Sequence, residues 1–396
     1  MADFQKNEDD IRSYIKTHLA EYAALSDWMA ENPELGGEEF KASAKMSDML
    51  QKLGFDVEYP YLGIPTAFNA VRGKGAGPVA ALLVEYDALP GIGHACGHNL
   101  HGAMSLLAGA ALAEAADGFG EIRVTGTPAE ETNGAKAPMA EAGAFDDADI
   151  AMMIHTEAGR TSAVYRSLAV RCLEFSFKGR PAHASGSPWE GLNALNGVQL
   201  LFHALDMQRQ HVKDMQIHGI ITNGGAAPNI VPEFASAKFY FRAPSKKCLE
   251  LEMEKVYNCA RGAALAAGVE VSWRTGEASS DDMLPNQAAE GEMKRILSGM
   301  GYAVNNRYIT GGSSDMGNVS WRCPAIQPLL DVAAGQYISP HTHEFAKLVY
   351  GPQVREHLAR GAEALAVMGL RVITDAALRN RIRADFDSAR EKTEAL

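Results

Sequence analysis

Between His94 and His101 the chain reads His-Ala-Cys-Gly-His-Asn-Leu-His, four borderline metal-ligand side chains within eight residues, just after an apolar run that ends in Asp87. Thiolate and imidazole are the groups that hold zinc and similar first-row ions, and carboxylates join them where a catalytic site keeps an open position. Cys96 and His98, two residues apart in a turn, can address one metal region, and a thiolate sulfur can bridge two ions. An isolated Cys-x-His is more often a small buried thiol beside a surface imidazole. Here the surrounding residues argue otherwise. His94 and His101 are the weaker candidates, placed to support a site or to open a helix.

Further donors follow at regular points. Glu130 and Glu131 come after Gly126-Thr127-Pro128-Ala129, which stops a strand abruptly and turns two adjacent carboxylates toward one cavity. Such a pair can divide the labour. One carboxylate ligates a metal, and the other stays free to take a proton from the attacking water and return it to the leaving group. A lone Glu-Glu is usually a solvated acidic turn, but the proline and the strand end weigh against that. His155 closes the apolar run Ala151-Met152-Met153-Ile154, a poor place for an unpaired imidazole. His341 and His343 compete within the polar loop Ser339-Pro340-His341-Thr342-His343-Glu344-Phe345. Several ligands plus one free glutamate are the inventory of a metal-dependent hydrolase.

The elements that must position these groups can be read coarsely from periodicity. Residues 9–31 and 37–54 have helical spacing, Val79 to Glu85 is a buried-strand run, and 103–115 is helical. Ile122 to Thr127 and Ile150 to His155 read as strands. Asp87, Glu130, Glu131 and His155 therefore fall at strand carboxyl ends, where open α/β sheets place their sites. From about residue 162 the pattern changes to strand 164–178, helix 190–210, strands 215–223 and 234–243, helix 246–267 and strand 269–276. That is the β-α-β-β-α-β order of a ferredoxin-like unit. Helix–strand alternation then resumes with helix 289–300 and strand Ala325 to Val332, and the chain is mostly helical from Val354. The expected fold class is α/β, a mixed-sheet catalytic domain (1–163 and 281–396) with an inserted ferredoxin-like α+β domain (164–280), and hinges near 160–164 and 278–286.

Composition bounds the rest. A chain of 396 residues with 46% hydrophobic content can fill two cores. The net charge of −12, without a basic tract, argues against nucleic acid or an anionic membrane as partner. Five cysteines without a CxxC pair indicate neither a disulfide framework nor a zinc ribbon. Met1 to Asp10 is acidic and polar, and no apolar run approaches the roughly 18 residues of a membrane span. A soluble cytoplasmic protein is expected.

The segments Val84-Glu85-Tyr86-Asp87-Ala88-Leu89-Pro90, Gly93-His94-Ala95-Cys96-Gly97-His98-Asn99, Pro128-Ala129-Glu130-Glu131, Gly179-Arg180-Pro181-Ala182-His183-Ala184 and His341-Thr342-His343-Glu344-Phe345 occur in that order. Together they strongly resemble the aminoacylase/carboxypeptidase G family of co-catalytic metallopeptidases. Within it the chain resembles the amidohydrolase branch of hippurate hydrolase, auxin-conjugate hydrolases and p-aminobenzoyl-glutamate hydrolase. An ordered set over most of the chain is far more specific than one motif.

The resemblance implies two divalent metal ions, zinc or manganese with cobalt as an alternative, in a catalytic domain with an inserted lid. Cys96 would bridge the ions, His98, Glu131, His155 and His341 would complete their shells, and Glu130 would be the general base. His341 is preferred to His343 because the family's final ligand precedes a small hydroxyl residue and lies four before an aromatic. Asp87 would orient a ligand. His183 of the lid would polarise the scissile carbonyl, often across a homodimer interface, and Asn229 and Arg242 would hold the substrate carboxylate, a task that suits the bidentate guanidinium. Gly312 to Ser320, Ala144-Phe145, Asp149 and His155-Thr156 look closer to the p-aminobenzoyl-glutamate and β-alanyl dipeptide hydrolases. The family's usual Gly-Ser-Glu-Asp stands here as Gly312-Ser313-Ser314-Asp315, and His343 replaces a common proline.

The expected function is hydrolysis of an N-acyl amino acid, an aminobenzoyl-glutamate-like conjugate or a dipeptide by metal-activated water. Lowering the pKa of water from 15.7 toward 7 corresponds to roughly 12 kcal/mol, whereas general-base action gives about 10²–10⁴-fold. Two other classes compete. A cysteine hydrolase with Cys96 as nucleophile would be alkylation-sensitive in a way chelators do not mimic. A non-catalytic metal-binding relative would lack turnover, against which the intact Glu130-Glu131 pair speaks.

Overall fold

The turns that carry the candidate ligands project from a six-stranded sheet. In the computed structural model, which describes residues 2–116, 118–276, 279–305 and 312–395, its strands run Asp56–Glu58, Phe68–Arg72, Glu121–Gly126, Val79–Val84, Ile150–Met152 and Ala325–Ile326. The first two pairings are antiparallel and the other three parallel, so the sheet is mixed. Every residue of Val79–Val84 is buried, as a central parallel strand covered on both faces must be. Helix His98–Ala116 covers the sheet beside helices Ala2–Glu31 and Arg355–Thr374 and is buried nearly all round. Gly102 in its second turn allows this approach, since a Cβ there would lie 2.2 Å from the Glu85 carbonyl oxygen.

Two compact units make up the chain. One comprises Met1–Arg166, Met283–Thr310 and Ser314–Leu396, the other Ser167–Asp282 and Gly311–Ser313. The second unit holds a four-stranded antiparallel sheet in the order Glu270–Thr275, Ala169–Lys178, Phe234–Ala243, Gln216–Asn223. Helices Ala194–Gln208 and Lys246–Ala267 pack against it. In chain order the strands lie fourth, first, third, second, which is the ferredoxin-like arrangement. A separate core of Phe175, Phe177, Phe239 and Phe241 with Leu201 and Leu249 holds this unit together.

Two expected strands divide. Ile150 to His155 is not continuous: Ile150–Met152 belongs to the six-stranded sheet, and His155–Glu157 joins a small second sheet. Its parallel neighbour divides in step, into Ala325–Ile326 and Leu329–Asp331. Pro328, which lacks an N–H, sits at that break, and its carbonyl accepts the His155 N–H at 2.9 Å. His155 is thus placed by the start of a strand rather than by the end of one. The helix expected over 37–54 spans Phe40–Lys52, and the segment before it is a loop. The second expected hinge, 278–286, begins outside the described residues. Among the described residues no helix is long and apolar enough to cross a membrane.

Candidate metal centre

Just past strand Val79–Val84, Asp87 holds two other candidates with one carboxylate. Its Oδ1 lies 2.8 Å from His98 Nδ1, and its Oδ2 accepts the Glu131 backbone N–H at 3.0 Å. Burial alone would raise the Asp87 carboxyl, but the His98 ring and the Glu131 amide outweigh it and hold it below its usual range. An ionised Asp87 takes the hydrogen on His98 Nδ1 and, against burial, raises the ring's pKa well above its usual value, so the inward-directed Nε2 holds a proton unless a metal ion takes that place. His98 Nε2 is buried without a hydrogen-bond partner. It faces Glu85 Oε2 at 3.6 Å and Glu131 Oε1 at 3.9 Å. A lone pair set against two carboxylate oxygens needs a cation between them, either a proton or a metal ion.

His155 is prepared in the same way. Its Nδ1 lies 2.7 Å from the Thr156 carbonyl oxygen, an acceptor only, so Nδ1 carries the hydrogen and Nε2 presents its lone pair 3.5 Å from Cys96 Sγ. Burial lowers the His155 pKa and keeps the ring neutral. On the other side of Glu131, Oε1 lies 3.2 Å from His341 Nε2. His341 has a left-handed backbone, φ 59°, and its N–H donates to the Ala95 carbonyl at 2.9 Å, tying this loop to the Cys96 turn. Donor atoms of Cys96, Glu131 and His341 lie within 4.8 Å of one another, as do those of His98, Glu130 and Glu131 and those of Glu85, His98, His101 and His155. These soft and borderline donors, with lone pairs freed by outer hydrogen bonds, fit divalent first-row ions.

His101 falls within one of these groups, but its ring is already engaged, and His94 and His343 fall outside them all. His101 donates from Nε2 to Glu85 Oε2 at 2.9 Å, and its Nδ1 faces the Thr156 amide and hydroxyl at 3.4 and 3.3 Å, so both ring nitrogens are engaged. His94 is buried, joins none of these groups, and is pushed down to about 3 by burial and then by His98. His343 is exposed at the start of helix His343–Leu348 and also joins none. The Cys96 thiol is pushed well above its usual range by burial and then by Glu131. That is the opposite of the depressed pKa a cysteine nucleophile requires.

Glu130 stands among the acidic groups. Burial, then Glu85, Glu131 and Asp315, raise its carboxyl well above the usual range, with Lys136 opposing them. A carboxylate shifted in this direction is a stronger base than an exposed glutamate.

Lys136, Glu85 and Asp315 carry chemistry that no spacing rule singled out. Lys136 is fully buried, and its Nζ donates to Glu85 Oε1 and Asp315 Oδ1, each at 2.6 Å. Its own N–H donates to Asp315 Oδ2 at 3.0 Å. Burial would lower the Lys136 pKa, but Asp315 and Glu85 reverse it and hold the ammonium charged. Removing one partner of a buried ion pair leaves uncompensated charge, at about 3–5 kcal/mol. Lys136→Met is therefore expected to lower unfolding free energy by roughly that amount in a denaturant titration. A change under about 1 kcal/mol would show that the triad is not held ionised.

The other three candidates lie in the second unit. The His183 Nδ1 accepts backbone N–H groups from Ser185 at 3.3 Å and Gly186 at 3.1 Å. Amides only donate, so the neutral ring carries its hydrogen on Nε2, a donor suited to a carbonyl oxygen. The Asn229 carbonyl accepts the Ala184 N–H at 3.0 Å, placing the Asn229 turn beside the His183 loop. Arg242, on strand Phe234–Ala243, donates from Nη1 to Ser313 Oγ at 2.8 Å.

Comparison with known proteins adds four findings. A sequence model of Peptidase family M20/M25/M40 matches residues 81–368. The chain is 35% identical over 384 residues to a Xaa-Arg dipeptidase of Mus musculus, covering 92% of this chain and 88% of the relative. It is 34% identical over 309 residues to one of the p-aminobenzoyl-glutamate hydrolase polypeptides of Escherichia coli, covering 72% of this chain and 64% of the relative. Among solved structures, a dinuclear metal-binding peptidase of the M20 family from Bacillus subtilis superposes with a TM-score of 0.67 at 17% identity, over 90% of this chain and 99% of that one. At that identity the likeness concerns the fold.

Proposed function

Because the chain belongs to Peptidase family M20/M25/M40, and is therefore a hydrolase, we propose that it cleaves the amide bond of a dipeptide or N-acyl amino acid at the Asp87–His98–Glu131 centre. The observation that carries this is the single Asp87 carboxylate, which orients His98 and the Glu131 backbone together beside Glu130, whose carboxyl is raised by burial and then by Glu85. Two divalent ions, zinc or manganese, would be held by Cys96, His98, Glu131, His155 and His341. When bound, they supply Lewis acidity that acidifies water and polarises a carbonyl.

The residues of the chain do the rest. Glu130 takes the proton of the attacking water and later returns it to the departing amine, which leaves badly as an anion. His183 donates its Nε2 hydrogen to the carbonyl oxygen as charge develops there. Asn229 and Arg242 hold the substrate carboxylate, with Ser313 fixing the guanidinium. The second unit then serves as lid and as the contact of a homodimer. Its strand Gln216–Asn223 lies at the sheet edge, with every residue but Ile217 exposed, and offers unpaired backbone to a second copy. Light scattering at twice the chain mass is expected, and a monomer at micromolar concentration would remove this part. The five free cysteines suit a reducing, cytoplasmic setting.

The deciding experiment is a panel of Xaa-Arg dipeptides, N-acyl amino acids and aminobenzoyl-glutamate, read by amine release. Turnover of at least one class, abolished by blocking the substrate carboxylate as an amide, is the expected result. Hydrolysis indifferent to that carboxylate would discard the roles of Asn229 and Arg242.

A further inference from the structure

The loop at 34–39 contacts both turns that carry the acidic groups of the centre. On one side, the Glu34 carbonyl accepts the Ala88 N–H at 2.8 Å and Leu35 forms a β-bridge with Ala88, next to Asp87. On the other, Glu39 Oε1 accepts the Ala129 N–H at 2.8 Å, next to Glu130. Between them Gly36 lies against the same turn: a Cβ there would stand 2.5 Å from Thr132 Oγ1 and 3.1 Å from Ala129 Cα. The loop is anchored in turn by the Glu34 carboxylate, which accepts the Ala42 N–H at 2.8 Å in the first turn of helix Phe40–Lys52.

Ala129 is the residue that needs this support. Its φ is 62°, a left-handed conformation that costs an L-residue energy and persists only where its surroundings over-determine it. Its carbonyl is held by the Gly134 and Thr132 N–H groups at 2.7 and 3.1 Å, and its N–H is held by Glu39. The turn at Ala129 sets the directions of Glu130 and Glu131. Glu39 is 0% exposed, and a buried carboxylate costs stability unless it has a task.

We propose that Glu39 is a positioning residue for the reaction, acting through the Ala129 amide, and that the 34–39 loop is a brace fixing the Glu130–Glu131 turn relative to the Asp87 turn. What the brace requires of residue 39 is an acceptor at full reach, not a charge. Gln keeps that reach and Asp loses it by one methylene. No residue of the loop is among those assigned to substrate above, so the signature falls on kcat rather than KM.

This inference rests on the proposed hydrolysis, so its test has a readout that does not. Glu39→Gln, Glu39→Asp and Gly36→Ala are compared with wild type for kcat, KM, bound metal, and hydrogen exchange of the segment 128–134. Glu39→Gln is expected to stay within about threefold of wild-type kcat. Glu39→Asp and Gly36→Ala are expected to fall by 10-fold to about 10²-fold with KM and metal content little changed, the scale of a small misplacement of reacting groups. Exchange at 128–134 is expected to quicken in Asp and Ala and not in Gln. Wild-type kcat in Asp, or a loss in Gln as large as in Asp, would overturn the proposal. If wild type hydrolyses nothing in the panel, the function fails while the exchange ranking still decides the brace. Should the Asp variant not fold, Gly36→Ala against Glu39→Gln gives the same decision.

Discussion

Glu130→Gln is expected to lower kcat by about 10²–10⁴-fold while the protein keeps its metal and its fold. Gln matches Glu in shape but cannot take a proton from water or return one to the amine. The environment adds a second, less usual expectation. Glu130 sits where burial and three carboxylates, Glu85, Glu131 and Asp315, disfavour its charge. Exchanging it for a neutral amide relieves that repulsion, so the melting temperature of the variant should equal or exceed that of wild type. Loss of turnover with no loss of stability identifies a residue kept for chemistry. Its proximity to His98 and Glu131 admits the other role, as a ligand. Loss of metal in Glu130→Gln would assign it that role and leave the general base unidentified.

Removing the metal is expected to have the larger effect, beyond the roughly 10⁴-fold upper bound for losing the base. Exhaustive chelation should take hydrolysis to background, and divalent zinc or manganese should restore it. Stability should move as well. His98 Nε2 is buried without a hydrogen bond, opposite carboxylate oxygens of Glu85 and Glu131. An ion satisfies these groups and binds the folded chain alone, so metal-loaded protein should melt higher, by an amount that grows with ion concentration. Chelation that lowers the melting temperature but spares turnover would make the centre structural. Alkylation of Cys96 that abolished activity in fully metal-free protein would restore the cysteine nucleophile, which the raised thiol pKa opposes.

Much of this centre was legible in the sequence because ligand chemistry depends on residue type and on where strands stop. Asp87, Glu130 and Glu131 follow strands whose apolar runs are visible in the sequence, and Pro128 marks a turn. His98 was preferred to His101 for its place two residues from Cys96, but what separates them physically was not visible in the sequence. They lie three residues apart on one helix face, and only the acceptors opposite them differ: Asp87 takes the hydrogen on His98 Nδ1, while Glu85 engages His101 Nε2. Lys136 could not be found at all, since a lysine opening a short helix reads as solvated until the fold brings Glu85, 51 residues away, and Asp315, 179 residues away, to its ammonium. The split of Ile150–His155 was likewise hidden, because each half takes its partner from a strand far along the chain. Residues 37–39 were read as one helix with the segment that follows, yet Gly37 takes a left-handed φ of 85°, and Glu39 lies outside helical geometry at the helix start while its carboxylate accepts the Ala129 N–H.

The most direct test of a metal-dependent hydrolytic centre is the number of ions bound per chain, measured by elemental analysis on the protein whose turnover is assayed in parallel. The predicted result is close to two divalent ions per chain, with activity falling and returning as they are removed and replaced. Full turnover in protein carrying no metal would contradict it.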